Sequence, residues 1–225
     1  MLKALLWKDY RLNRMLLIFG AVILFGPYVV VLLAQWRTGL VNASAHVWAE
    51  SLTSACMLSM GLSLLTICLL SANVFAGERA DRSAEFLASL PASRLAVLLA
   101  KGIVVIGTIT VIAATQWWVV EMLIPWVDPR INPSLNEPLW FILSVSVLIG
   151  GAGWGASSVL SSPVGAAGAA MLAPMAVLSV VAGLSWKFGF PPENSLATWC
   201  EVVCLLSGLA SFVGFSVAYV RRRDA

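Results

Sequence analysis

From Met15 to Trp36 the chain runs for 22 residues without a charge. A helix rising about 1.5 Å per residue crosses a hydrocarbon core of roughly 30 Å in about that length. Comparable runs follow at 54–76, 102–123, 139–160, 166–184 and 197–220. Only 11% of the residues are charged and 60% are hydrophobic, against roughly 25% charged in a soluble domain, so polar groups cannot cover the surface of such a chain. The expected fold is an all-α integral membrane protein, one transmembrane domain over residues 1–225 with six transmembrane helices. The first run is too long for the core of a signal peptide and has no small-residue cleavage site at its end.

The lysines and arginines alternate between the connections. Lys3, Lys8, Arg11 and Arg14 precede the first span, Arg79, Arg82, Arg94 and Lys101 lie between the second and third, and Arg221, Arg222 and Arg223 follow the sixth. The other connections hold Arg37, Arg130 and Lys187, so the division is eleven against three. By the positive-inside rule both termini and the segment after the second span are cytoplasmic, in a multi-pass protein of the plasma (inner) membrane. The net charge of +3 is too small and too dispersed for nucleic-acid binding; membrane lipids are the expected surroundings.

Residues 1–14 read as an amphipathic interfacial helix, with Leu2, Leu5 and Leu6 on one face and the basic side chains reaching headgroups; a plain basic flank is the alternative. Residues 37–53 and 124–138 read as polar loops on the far side. Pro27 and Pro174 predict kinks in the first and fifth spans. The run GGAGWGASS in the fourth span suits close helix packing, because the Lys and Ser/Thr of a phosphate loop are missing after it. Cys56, Cys68, Cys200 and Cys204 fall inside apolar runs and read as packing residues; Cys200 and Cys204 share a helix face, yet the single histidine, His46, leaves no ligand set, and no metal is expected. Glu121 and Glu201, at the outer ends of the third and sixth spans, form a possible outer gate or anchor at the interface.

The most charged interval is Gly77–Lys101, with seven of the 25 charged residues. Asp81 or Ser83 can cap a short helix whose first turn holds Glu85, with Phe86, Leu87 and Leu90 as its apolar stripe. Pro91 stops it, and Ser93 can cap a second helix that runs on into the third span. Arg94 and Lys101 then lie near the membrane surface. Periodicity leaves two readings open, a docking helix for a cytosolic partner and a hairpin loop with solvated charges.

The arrangement Glu78-Arg79, Ser83, Glu85, Leu87, Leu90-Pro91, Ser93-Arg94 and Lys101 after the second span resembles the permease subunits of ATP-binding-cassette (ABC) transporters of the type-2 exporter class. Lys8-Asp9 in the basic N-terminal stretch is similar to a Lys-Glu pair common there, while Arg82-Ser83 departs from the usual Gly before Ser/Thr. The resemblance implies that 77–101 holds a short cytosolic coupling helix and that Glu85, Phe86, Leu87, Leu90 and Arg94 meet the ATPase. It also implies that Glu78 and Arg79 brace the second span, with Lys8 and Asp9 touching the same region, and that the stretch 186–197 is a re-entrant outer hairpin. The resemblance further implies that ATP and Mg are carried by a separate cytosolic P-loop ATPase, two copies of which serve two permease chains, identical or homologous; no G-x-x-x-x-G-K-[ST] sequence occurs in this chain itself.

The function expected is therefore ATP-driven export of an amphipathic substrate (lipid, peptide or drug) with no catalytic residue in this chain. A membrane scaffold or sensor that recruits a cytosolic partner without transport is the alternative. A secondary transporter would call for charges deep in the spans or inverted repeats, and an intramembrane enzyme for a motif such as H-E-x-x-H or G-x-S-x-G. Neither pattern is apparent in the sequence.

Overall fold

In lipid there is no hydrophobic drive to bring apolar helices together, so close backbone approach and hydrogen bonds must do it. The fold shows both. The computed structural model describes residues 2–37, 44–80, 93–128, 136–188 and 195–221. These form α1 (Leu2–Arg37), α2 (Ala45–Ala80), α3 (Arg94–Trp118), a π-helical turn (Val119–Leu123), α4 (Ile124–Val127), α5 (Asn136–Val159), α6 (Pro163–Phe188) and α7 (Leu196–Arg221). Six of the described helices are long and apolar enough to cross a membrane, and the protein is a multi-pass membrane protein. Each of the six apolar runs overlaps one of these spans, 139–160 passing the end of α5 by one residue and 102–123 taking in the π-helical turn.

Several boundaries differ from the sequence reading. Residues 1–14 do not make a separate surface helix: from Leu2 onward they are the first turns of α1, a single helix of 36 residues. No glycine or proline interrupts the chain before Gly20, and at about 54 Å the helix exceeds the hydrocarbon core. The first polar loop is shorter than 37–53, because α2 begins at Ala45 with Ser44 O accepting from Val47 N at 3.0 Å. In the second, Ile124–Val127 continue as helix and α5 starts at Asn136. α1 and α6 run on through Pro27 and Pro174. Before the sixth span, α6 extends to Phe188 and α7 begins at Leu196; residues 189–194 of the expected re-entrant hairpin lie outside the described residues.

α2 and α5 form the buried centre, while α1, α6 and α7 turn most of their apolar surface outward. The core runs through Ile67, Leu70 and Phe75 of α2, Val105 and Ile109 of α3, and Leu148, Ile149 and Trp154 of α5. α5 and α7 meet backbone to backbone. A methyl group on Gly208 would sit 2.6 Å from Val147 O, and one on Gly151 would collide with Gly208 O. Gly151 and Gly155 of the fourth-span run face α7 and Gly153 faces Ser71 of α2, so the run is a surface of close helix packing, as its composition predicts. Phe75, Trp154, Phe212 and Tyr219 stack in series across α2, α5 and α7, with centroids 5.0–5.7 Å apart.

A charge cluster where α2 ends and α3 begins

The six long helices alternate in direction, so the starts of α1 and α3 and the ends of α2, α5 and α7 gather at one end of the bundle. This basic end carries the candidate site. α2 ends at Ala80 and α3 begins at Arg94. Ser93 caps α3 from an extended backbone (φ −66°, ψ 139°), its hydroxyl accepting from Ala96 N at 3.2 Å. That hydrogen bond satisfies one of the helix's orphan amides. The expected short helix with Glu85, Phe86, Leu87 and Leu90 lies in residues 81–92, outside the described residues; what the structure describes is the pair of anchors on either side.

Those anchors are held by charge. Glu78, on the last turn of α2, is buried and places one carboxylate oxygen 2.7 Å from Lys8 Nζ and the other 2.9 Å from Lys101 Nζ. Lys101, two turns into α3, is only 4% exposed. It also donates to Val74 O at 2.6 Å, approaches Asp9 Oδ1 to 3.8 Å and lies 5.2 Å from the centre of the Phe75 ring. Asp9 is buried beside it, its backbone carbonyl accepting from Asn13 Nδ2 at 2.9 Å. The Asn13 side-chain oxygen accepts from Asn73 Nδ2 of α2 at 3.1 Å. Two cations and two anions therefore balance in a site shared by α1, α2 and α3. Unpaired, any one of them would carry a large desolvation penalty; grouped, they hold three helix ends in one register.

Two arginines extend the connection. Arg79 donates to Ser157 O and, at 3.2 Å, to Val159 O. It thereby covers the carbonyls that end α5, where a cation is also favoured by the helix dipole. Arg94 donates to Tyr219 O of α7 at 3.4 Å. Of the five long helices other than α6, each is thus tied to an anchor of the 81–92 connection.

Sequence reasoning named Lys8, Asp9, Glu78, Arg79 and Arg94, and the structure gathers these five at one end. It placed Arg94 and Lys101 near the membrane surface; the structure shows in addition that Lys101 is the buried centre of the cluster. Asn13 and Asn73 were missed. The available signal was a lysine whose α3 neighbours within one turn, from Val97 to Val105, include no other charge: such a lysine needs a carboxylate from another helix.

A second polar group joins the same three helices farther along. Gln116 of α3 accepts from Tyr28 Oη at 2.8 Å and from Cys56 Sγ at 3.3 Å, and donates to Ser59 Oγ at 2.7 Å. Ser59 in turn donates to Leu24 O at 2.7 Å. The π-helical turn starts three residues after Gln116. At the end opposite the cluster, His46 Nε2 lies 3.2 Å from Glu50 and His46 Nδ1 lies 3.7 Å from the buried Asp128. Glu121 is half-buried on the π turn and Glu201 half-buried in the second turn of α7. Cys204 is in the core, and no group of three metal-ligating side chains occurs among the described residues.

A family model described as ABC-2 family transporter protein matches residues 2–160. The match spans α1 to α5 and contains every member of the charge cluster. No curated protein and no solved structure matches the chain.

Proposed function

The chain belongs to the ABC-2 transporter family, and we propose that it is the permease subunit of an ATP-driven exporter whose coupling segment is 77–101. Membership makes it a membrane permease of the ABC type. The proposal adds direction, partners and contacts. Its partner is a cytosolic P-loop ATPase in two copies, which carry ATP and Mg, and a second permease chain completes the pathway. The basic end faces the cytoplasm of the inner membrane, on the strength of the eleven-to-three distribution of lysine and arginine.

The observation that carries this reading is Glu78 bridging Lys8 and Lys101. A force applied to residues 81–92 meets two helix ends that cannot move apart without separating buried charges. It is passed to α1 through Lys8 and Asp9, to α5 through Arg79 and to α7 through Arg94. In this reading Glu85, Phe86, Leu87, Leu90 and Arg94 contact or position the ATPase, and Glu78, Arg79, Lys8 and Asp9 transmit its closure. Glu121 and Glu201 are candidates for an outer gate, and the apolar walls suit an amphipathic cargo.

The test is co-purification in mild detergent with the ATPases encoded beside the chain. Two permease chains with two ATPases are expected, with Glu85→Lys combined with Arg94→Glu reducing the bound ATPase at least tenfold. Full assembly and ATPase stimulation by that double variant would overturn the contact assignment. A chain that keeps its fold and binds no P-loop ATPase is instead a scaffold or sensor.

A further inference from the structure

α3 and α7 both lie against α5 but hardly touch each other, and between them is a groove of about 740 Å³. Its α3 wall runs from Leu98 to Val111, its α7 wall from Phe212 to Val217, and Trp154 closes its floor. Two polar side chains line it, Ser216 and Thr110, and the Thr110 hydroxyl donates to Ile106 O at 2.9 Å. A polar ligand would find almost nothing to bond. Gly102 and Gly107 lower the α3 wall, and a methyl group on Gly107 would meet nothing within 4 Å.

Size and charge select the occupant. Fourteen helical residues span about 20 Å, somewhat more than half of a hydrocarbon core of roughly 30 Å, which is about the reach of one leaflet's acyl chain. A volume of about 740 Å³ leaves room for one acyl chain along that length. Basic side chains stand at one mouth of the groove: Arg94, one turn before Leu98, reaches across to Tyr219 O, and Arg221 follows Val217 by one turn of α7. Basic sites between transmembrane helices at the cytoplasmic side recognise lipid phosphates. We propose that this groove binds an anionic phospholipid, one acyl chain lying along α3 and the headgroup against Arg94 and Arg221. The inference is independent of the transport reading, since a site of this kind serves a permease or a scaffold equally.

The test uses the full chain in nanodiscs of phosphatidylethanolamine and phosphatidylglycerol containing a trace of phosphatidylglycerol with a photoactivatable acyl chain. Irradiation followed by peptide mass spectrometry is expected to concentrate label on 98–111 and 212–217. Gly107→Phe, whose side chain enters open space, lowers that label at least fivefold at unchanged melting temperature; Val213→Trp does the same if Gly107→Phe fails to fold. Arg94→Gln with Arg221→Gln lowers the preference for the phosphatidylglycerol probe over a phosphatidylethanolamine probe at least threefold. Label spread evenly over the outward faces of α1 and α6, or unchanged in both groove-filling variants, overturns the proposal. So does a wild-type groove that stays unlabelled while Ile106→Cys forms disulfides between two copies.

Discussion

The first three long helices and the last three are joined by different chemistry. α1, α2 and α3 meet through side-chain polar groups at two levels: the Lys8–Asp9–Glu78–Lys101 cluster near the basic end and the Tyr28–Cys56–Ser59–Gln116 group toward the other. α5 and α7 meet through bare backbone at Gly151 and Gly208, and α6 adds Ala166 and Ala170, both fully buried. The two modes respond differently to force. A close-packed glycine contact has no second arrangement short of separation, because its attraction falls away within an ångström. A set of charges and hydrogen-bonding groups can exchange partners while staying paired. In the proposed permease the half next to the 81–92 connection is thus the half able to adjust, and the α5–α7 pair is the rigid body it moves against.

The comparison predicts its largest effect where the contact is backbone alone. In Gly208→Leu the first added carbon already lies 2.6 Å from Val147 O and 2.7 Å from Leu148 N, atoms that cannot turn aside. The loss should exceed the roughly 1–3 kcal/mol of ordinary overpacking, and the protein should leave a size-exclusion column aggregated. Gly214→Leu, six residues along the same helix and in open space, should elute and melt like the parent. Equal behaviour of the two variants would show that α5 and α7 are not held by this contact.

Next comes the charge cluster. Glu78→Ala leaves Lys8 without its carboxylate and Lys101 with only the more distant Asp9, a broken buried pair of the kind that costs roughly 3–5 kcal/mol. The lower end applies, since the Lys8 side chain is 28% exposed and partly solvated. Combining Glu78→Gln with Lys101→Met removes charge of both signs, and the double variant should melt above either single one. Strict additivity in that cycle would mean the two groups do not share a site. ATPase coupling should stay low in the double variant, whose helix ends are stable yet no longer registered by charge.

The modes were unequally visible in the sequence. The helices themselves were legible because lipid admits few alternatives to an uninterrupted apolar helix, and the glycine run announced a close contact without naming its partner. Gly208 lies in the short small-residue stretch SGLAS (207–211), which names no partner either, and its role depends on which turn of α5 lies across from it. Residues 1–14 were misread as a separate element because amphipathic periodicity says nothing about where a helix bends. The burial of Lys101 was not legible for a related reason. Its partners are Glu78, 23 positions earlier, and Asp9 on another helix; local pattern shows that such a lysine needs a carboxylate but not which one. Tyr28, Ser59 and Gln116 are uncharged and their spacing in the sequence does not link them, so only the fold brings them together.

The smallest effect belongs to that neutral group and sharpens the contrast with the charged one. Gln116→Leu removes the acceptor of Tyr28 and Cys56 and the donor to Ser59. Hydrogen bonds between membrane helices average about 0.6 kcal/mol, with losses near 1–2 in the stronger cases, so a loss of about 1 kcal/mol is expected, well below that of Glu78→Ala. The partners left behind are hydroxyls and a thiol, which can turn toward carbonyls of their own helices; an ammonium group can also meet a carbonyl, as Lys101 meets Val74 O, but its buried charge stays uncompensated. Tyr28→Phe should cost a few tenths of a kcal/mol in the parent and nothing further in Gln116→Leu, since its partner is already gone. A loss from Gln116→Leu as large as that from Glu78→Ala would mean that the neutral group, beside the π-helical turn, is the firmer of the two joints and that the adjustable region lies at the basic end alone.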